Sequence, residues 1–197
     1  MTRTIGISGG VASGKSTVTR ILASIGAYVI DADVIGHDAL KGHDVKRRIV
    51  SKWGAGVLDD RGEIDRKRLS TIVFSTPEKR KDLEAIVHPI ILDRIREEIR
   101  LATAQGSDVI VLDAPLLYES GLDAICDGVL FVDVDEGTRA ARACERGWTN
   151  EERTARERHQ MNTEEKRTRA DWIVHNSGSL EELEGRIKTI WQQILDH

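Results

Sequence analysis

Gly9-Gly10-Val11-Ala12-Ser13-Gly14-Lys15-Ser16-Thr17 is the stretch on which the reading of this chain turns. It fits G-x-x-x-x-G-K-[ST], a loop that cradles phosphates. Arg3 to Ser8 reads as a short buried strand before it. Ser16 to Ile25 reads as a helix after it, with Val18, Ile21, Leu22 and Ile25 on one face. A loop in that position meets unpaired backbone N–H groups and the positive end of a helix dipole, and both favour an anion. Gly9 and Gly14 let the backbone bend around phosphate oxygens with no Cβ in the way. Lys15 is expected to reach the β- and γ-phosphates, and the Ser16 hydroxyl to join a Mg²⁺ shell. The loop residues Gly10, Val11, Ala12, Ser13, Gly14, Lys15, Ser16 and Thr17 are therefore expected to hold ATP. They say what is bound and not what is done with it.

The chain has 197 residues, enough for one domain with a sizeable core and room for an inserted subdomain. Its net charge of −4 excludes a general polyanion binder. Arg139 to Arg169 departs from that balance, with nine Arg and Lys against six Asp and Glu. A local basic segment suits a phosphate-rich small ligand better than long nucleic acid, although a solvated helix pair would have the same count. Cys126 and Cys144 have no metal-type spacing, and two isolated thiols fit a reducing compartment. Cys126 lies in an apolar stretch and reads as core. No apolar run approaches the ~20 residues that span a bilayer. A cytoplasmic protein without a membrane or nucleic-acid partner, monomeric or a weak homo-oligomer, is expected.

Taken in order, Ala27 to Ile30 is a second strand ending in Asp31-Ala32-Asp33. Ligands of open α/β sheets bind beyond the carboxyl ends of strands, so these carboxylates belong near the loop. Alternation would point Asp31 and Asp33 the same way, one to take a hydroxyl proton and one to support metal or loop. The competing reading is a helix cap for Val34 to Leu40. His43 to about Gln105 is helical in pattern and too long for a plain crossover, so it reads as an inserted subdomain for a second substrate. Thr76-Pro77-Glu78 starts its longest helix, and Pro89 is expected to interrupt and kink it beside His88. Asp108 to Asp113 is an apolar strand ending in Asp, the form whose carboxylate supports Mg²⁺ in P-loop proteins. Ala114-Pro115-Leu116-Leu117-Tyr118-Glu119 turns behind it, and Gly128 to Val134 is a further buried strand.

Glu136 to Arg146 reads as a helix whose Arg142 and Arg146 share a face and are fitted to phosphate. Thr149 and Glu152 are spaced as a capping box for a polar helix. The charged helices of 139–169 read as a lid that closes over the nucleotide, or as a solvent-exposed hairpin. Ala170 to Asn176 is the last strand, and Ser179 with Glu182 caps the closing helix. The fold expected is α/β. It has a five-stranded parallel P-loop kinase sheet with helices on both faces, built from 1–34, 106–138 and 170–197, plus a helical part at about 35–105 and the lid. A guanine-reading Asn-Lys-x-Asp motif is missing from the sequence, which argues against a GTPase.

These residues resemble the dephospho-CoA kinase family nearly end to end. The resemblance is carried by the loop, Asp31-Ala32-Asp33, Val87-His88-Pro89, Pro115-Leu116-Leu117-Tyr118-Glu119, Gln160-Met161 and Ala170 to Ser179. It implies transfer of the ATP γ-phosphate to the ribose 3′-hydroxyl of dephospho-CoA, with Asp33 as base and Lys15 and Arg146 beside it in catalysis. It implies Arg142 and Asn176 on the ATP side. Asp31, Asp33, His88, Leu116 and Glu119 fall on the acceptor side, and Ser16 and Asp113 at Mg²⁺, directly or through water. Two positions depart from the family: Gly147 follows Arg146 where an acid is common, and His175-Asn176 replaces Asn-Asn. A kinase of a nucleoside monophosphate, gluconate or shikimate would use the same loop and lid, and a non-catalytic ATP-binding regulator is the alternative of another class.

Overall fold

In the computed structural model, which describes residues 1–158 and 160–196, the chain divides into two compact units. The first comprises Met1–Asp31 and Ile99–His197; the second is Ala32–Glu98.

The first unit is a parallel sheet. Strands β1 (Arg3–Gly9), β2 (Tyr28–Asp31), β3 (Val109–Asp113), β4 (Gly128–Asp133) and β5 (Trp172–His175) lie in the order β2-β3-β1-β4-β5. Every pairing is parallel. Parallel strands are covered on both faces, and the central ones are near-continuous apolar runs for that reason. The core formed by Ile5, Ile7, Val111, Leu130, Val132 and Val174 continues into helices α1 (Lys15–Ser24) and α9 (Leu180–Asp196) through Val18, Leu22, Leu183, Ile187 and Ile194. The order puts β1 in the middle, so its carboxyl end, where the phosphate loop begins, is walled by β3 and β4.

The second unit holds α2 (Ala32–Ala39), α3 (His43–Trp53), a 3-10 turn at Ala55–Val57, α4 (Arg66–Val73) and most of α5 (Pro77–Ala104). Its own core gathers Val45, Ile49, Val57, Leu69, Val73 and Ile86. The turn-rich break between α3 and α4 is closed by an antiparallel bridge between Leu58 and Ile64. The Asp65 side chain caps α4 through the amides of Lys67 and Arg68. Pro89 was expected to interrupt α5, yet the helix runs through it as one element of 28 residues. The proline removes a single donor, and the apolar positions on either side keep the helical spacing that the core demands.

After β4 come α6 (Glu136–Glu145), α7 (Asn150–Glu157) and α8 (Thr163–Thr168), all in the first unit. Asp135 caps α6. The capping box at Thr149 and Glu152 is present, and both hydrogen bonds of the one at Ser179 and Glu182 form.

Candidate active site

The loop between β1 and α1 is held open by its backbone. Ala12 has φ 61°, the one non-glycine residue in the left-handed region among those described. That conformation costs about 1–2 kcal/mol and persists only where the surroundings impose it. Gly14 has φ 89°, and a Cβ there would lie 2.2 Å from Asn176 Nδ2, so the position has no room for a side chain. No side chain among the described residues caps α1, and its first turn has no acid. Its amides are left for an anion, as the dipole favours. The Ser13 hydroxyl is buried and has no partner among the described residues.

Lys15 Nζ donates to the carbonyls of Gly9 and Gly10, both at 3.2 Å. Burial pushes its pKa down from 10.5 to about 8; the cation of Lys166 adds to this, Asp113 opposes it, and Arg146 and Glu119 exert smaller effects of opposite sign. An ammonium in that state is short of negative charge, which a polyphosphate supplies.

Two side chains from distant elements fasten the loop by hydrogen bonds. Asn176 Nδ2 donates to the Ser13 carbonyl at 2.7 Å, and Arg142 donates to the same carbonyl at 3.2 Å and to the Asn176 carbonyl at 3.0 Å. Both were expected to touch ATP, and the structure brings both to the backbone that would hold it. Arg139 lies against Gly10, where a Cβ would come within 2.7 Å of its guanidinium. Trp148 packs on Val11, Ala12 and Ala143, with the Arg156 and Arg146 guanidinium groups 4.3 and 5.7 Å from its ring centroid. Arg146 is exposed at the end of α6.

At the carboxyl edge of the sheet, Asp31 and Asp113 occupy paired positions on β2 and β3. Asp113 also accepts a hydrogen bond from Thr19 Oγ1 at 3.1 Å. An acidic strand end and an exposed serine hydroxyl at the start of α1 suit a hard divalent cation, which takes one or two carboxylates and otherwise binds phosphate and water. These donors fit the metal, although the described residues include no cluster of three acidic or soft ligands.

Asp33 is placed otherwise than alternation implied. β2 stops at Asp31, and Asp33 lies in the first turn of α2, so the two-residue repeat that would align both carboxylates ends before it. Asp33 and His88 belong to the second unit, and Asp31 to the first. Behind β3, Leu117 is buried against Gly6 of β1 and pins the turn that carries Leu116 and Glu119. Cys126 is no nucleophile: burial first, then Asp123 and Asp127, push its thiol up to about 12.

The sequence reading missed the charged residues that lie inside. Lys166 and Arg153 are buried, Lys166 on Glu119 and Arg153 between Glu136 and Glu157. Both sit in helices of nearly unbroken polarity, where burial depends on packing that no local pattern reveals.

The sequence profile described as dephospho-CoA kinase matches residues 3–182. The chain belongs to the dephospho-CoA kinase family. It is 44% identical to the dephospho-CoA kinase of Geobacillus kaustophilus, over 98% of this chain and 97% of that one. It is 41% identical to that of Corynebacterium diphtheriae, over 97% and 96%. A crystal structure from Thermus thermophilus superposes with a TM-score of 0.83 at 38% identity, covering 98% of this chain and 97% of the other. The dephospho-CoA kinase of Campylobacter jejuni superposes with a TM-score of 0.76 at 29% identity, covering 100% and 98%. Membership makes this chain an ATP-dependent phosphotransferase, and the parallel sheet with its phosphate loop is the fold of such a dephospho-CoA kinase. No described helix is long and apolar enough to cross a membrane.

Proposed function

We propose that this chain transfers the γ-phosphate of ATP to the 3′-hydroxyl of dephospho-CoA, giving coenzyme A and ADP. What carries the reading is an intact phosphate cradle, with uncapped helix amides and a charge-starved Lys15, in a chain matched by the family over residues 3–182. In this reading the loop amides and Lys15 bind the β- and γ-phosphates, while Arg142 and Asn176 hold the loop for them. Arg146 adds positive charge as the phosphoryl group transfers. Asp33 takes the 3′-hydroxyl proton while that oxygen bonds to phosphorus and the bond to the β-phosphate oxygen breaks. Asp31, His88, Leu116 and Glu119 receive the acceptor. Ser16 and Asp113 would hold Mg²⁺, directly or through water, and the ion would neutralise charge on the phosphoryl oxygens. The enzyme works in the cytoplasm, as a monomer or weak homo-oligomer, and residues 139–169 close over the nucleotide.

The test is an acceptor panel with ATP and Mg²⁺, reading ADP release, followed by mapping the phosphorylated position of the product. Dephospho-CoA should stimulate turnover, with the new phosphate on the 3′-oxygen. Stimulation by gluconate, shikimate or a nucleoside monophosphate in its place would overturn the reading.

A further inference from the structure

Gly10 stands at a free position of the phosphate-loop motif, so the motif itself does not ask for glycine there. Its backbone does not ask for it either, since Gly10, unlike Gly14, has no positive φ. What leaves no room for a side chain is Arg139. A Cβ on Gly10 would lie 2.7 Å from Arg139 Nη1 and 3.3 Å from its Cδ and Cζ.

The end of a long side chain ordinarily gives way, but this one is fixed. The Arg139 side chain is 12% exposed; its Nη1 donates to Glu157 Oε1 at 2.6 Å and its Nη2 pairs with Glu136. Arg153, buried in α7, holds the same two carboxylates, at 2.5 Å on Glu136 and 2.9 Å on Glu157. Arg139 Nε and Arg153 Nε are buried with no partner among the described residues, so the group is not arranged for the greatest stability. What the charges add is a single geometry, because each guanidinium fork must meet both carboxylates.

Arg139 and Arg142 are three apart on α6 and share a face. Arg142 donates to the Ser13 carbonyl at 3.2 Å, while Arg139 covers Gly10. Gly10 and Ser13 are the two ends of one turn, closed by the Ser13 amide on the Gly10 carbonyl at 3.2 Å. One face of α6 therefore brackets the turn of the loop at both ends.

We infer that Arg139 is a positioning residue for ATP: held by Glu136 and Glu157, its guanidinium backs the Gly10 peptide and sets where the first turn of the phosphate loop lies. It acts through the loop backbone and not on the phosphates. Because Glu157 belongs to α7, the same contact ties the loop to that helix. The inference rests on the reading of the loop as an ATP site, but its test needs no acceptor.

The experiment is a double-mutant cycle on Gly10 and Arg139, read by calorimetric titration with ATP and Mg²⁺, with thermal melts as the check of folding. Gly10→Ala should weaken ATP binding by about tenfold, because the added methyl and the fixed guanidinium cannot share the space. Arg139→Ala should weaken it several-fold, since the turn loses its backing. In the Arg139→Ala background, Gly10→Ala should cost less than about twofold, because the methyl enters the space that the guanidinium left. A role in stability alone would lower the melting temperature without this coupling. Arg153 still pairs with Glu136 and Glu157 in Arg139→Ala. Should that variant fail to fold all the same, Arg139→Lys keeps a charge for the carboxylates with no planar group over Gly10, and the cost of Gly10→Ala should shrink there too. A folded Arg139→Ala with wild-type ATP affinity, or an equal cost of Gly10→Ala with and without the guanidinium, would overturn the inference. ATP binding as expected throughout, with no turnover of dephospho-CoA by the wild type, would strike the proposed function alone.

Discussion

Lys15 carries its charge in a place that resists it, and that makes its protonation a measurable part of binding. In the free protein it releases its proton near pH 8 and not near 10.5, so above pH 8 the cradle loses its attraction for phosphate. kcat/KM for ATP, which reports the free enzyme, should therefore decline through that pH. Bound polyphosphate favours the protonated amine, so ATP binding near pH 8 should take up protons, visible as a dependence of the binding heat on the buffer. Lys15→Arg should abolish the uptake, since a guanidinium stays charged there. Asp33 predicts a different split: Asp33→Asn should leave ATP affinity within about twofold and cut turnover by ~10²–10⁴, the usual worth of a general base. Equal turnover would remove Asp33 from that role. At this scale, legibility follows the range of the interaction. Gly14, Lys15 and Ser16 declare themselves because the whole motif is eight consecutive residues. Asn176 is read as an ATP contact because nothing local says that its amide reaches a carbonyl 163 positions away. Lys166 looks like any surface lysine until α8 is laid on the sheet.

Helix ends explain one of the two departures from the family pattern. Gly147, where an acid is common, has φ 76° and closes α6 with the Gly147 amide on Cys144 and the Trp148 amide on Ala143. That pairing is the Schellman arrangement, and its usual apolar contact is made here by Trp148 on Ala143. Gly147→Ala should cost about 1 kcal/mol in a melt and weaken ATP binding, because Trp148 rests on Val11 and Ala12 of the loop. Beside it, Arg139 and Arg153 share Glu157 at 2.6 and 2.9 Å, and both also pair with Glu136, joining α6 to α7 by charge where an apolar seam would be ordinary. Glu157→Gln should destabilise by about 1–3 kcal/mol, with added salt narrowing the difference from wild type. The two capping boxes were legible because they need only two residues three apart. The ion-pair group was not, because α7 shows a polar surface to any pattern that counts apolar residues.

On the scale of the whole molecule, the chain folds as two units that each have a core, with the phosphate loop in the first and Asp33 and His88 in the second. Ile49 is wholly buried in the second unit. Ile49→Ala should cost ~2–5 kcal/mol there and raise KM for dephospho-CoA, while ATP affinity, measured without acceptor, stays near wild type. A parallel loss of ATP affinity would show that the units do not act independently. The insertion was visible as a length too great for a crossover. The strand order was not, since right-handed connection alone allows β2 to sit beside either β1 or β3. That order has a consequence during synthesis. The strand that leads into the phosphate loop leaves the ribosome before both of its neighbours in the sheet, β3 and β4. At roughly 5–20 residues per second, β1 waits several seconds for either partner. The carbonyl of Ser13 waits longer still, for Arg142 and then Asn176. The nucleotide loop is thus translated well before the parts that complete it, so a nascent chain should not respond to ATP until β5 and Asn176 have emerged.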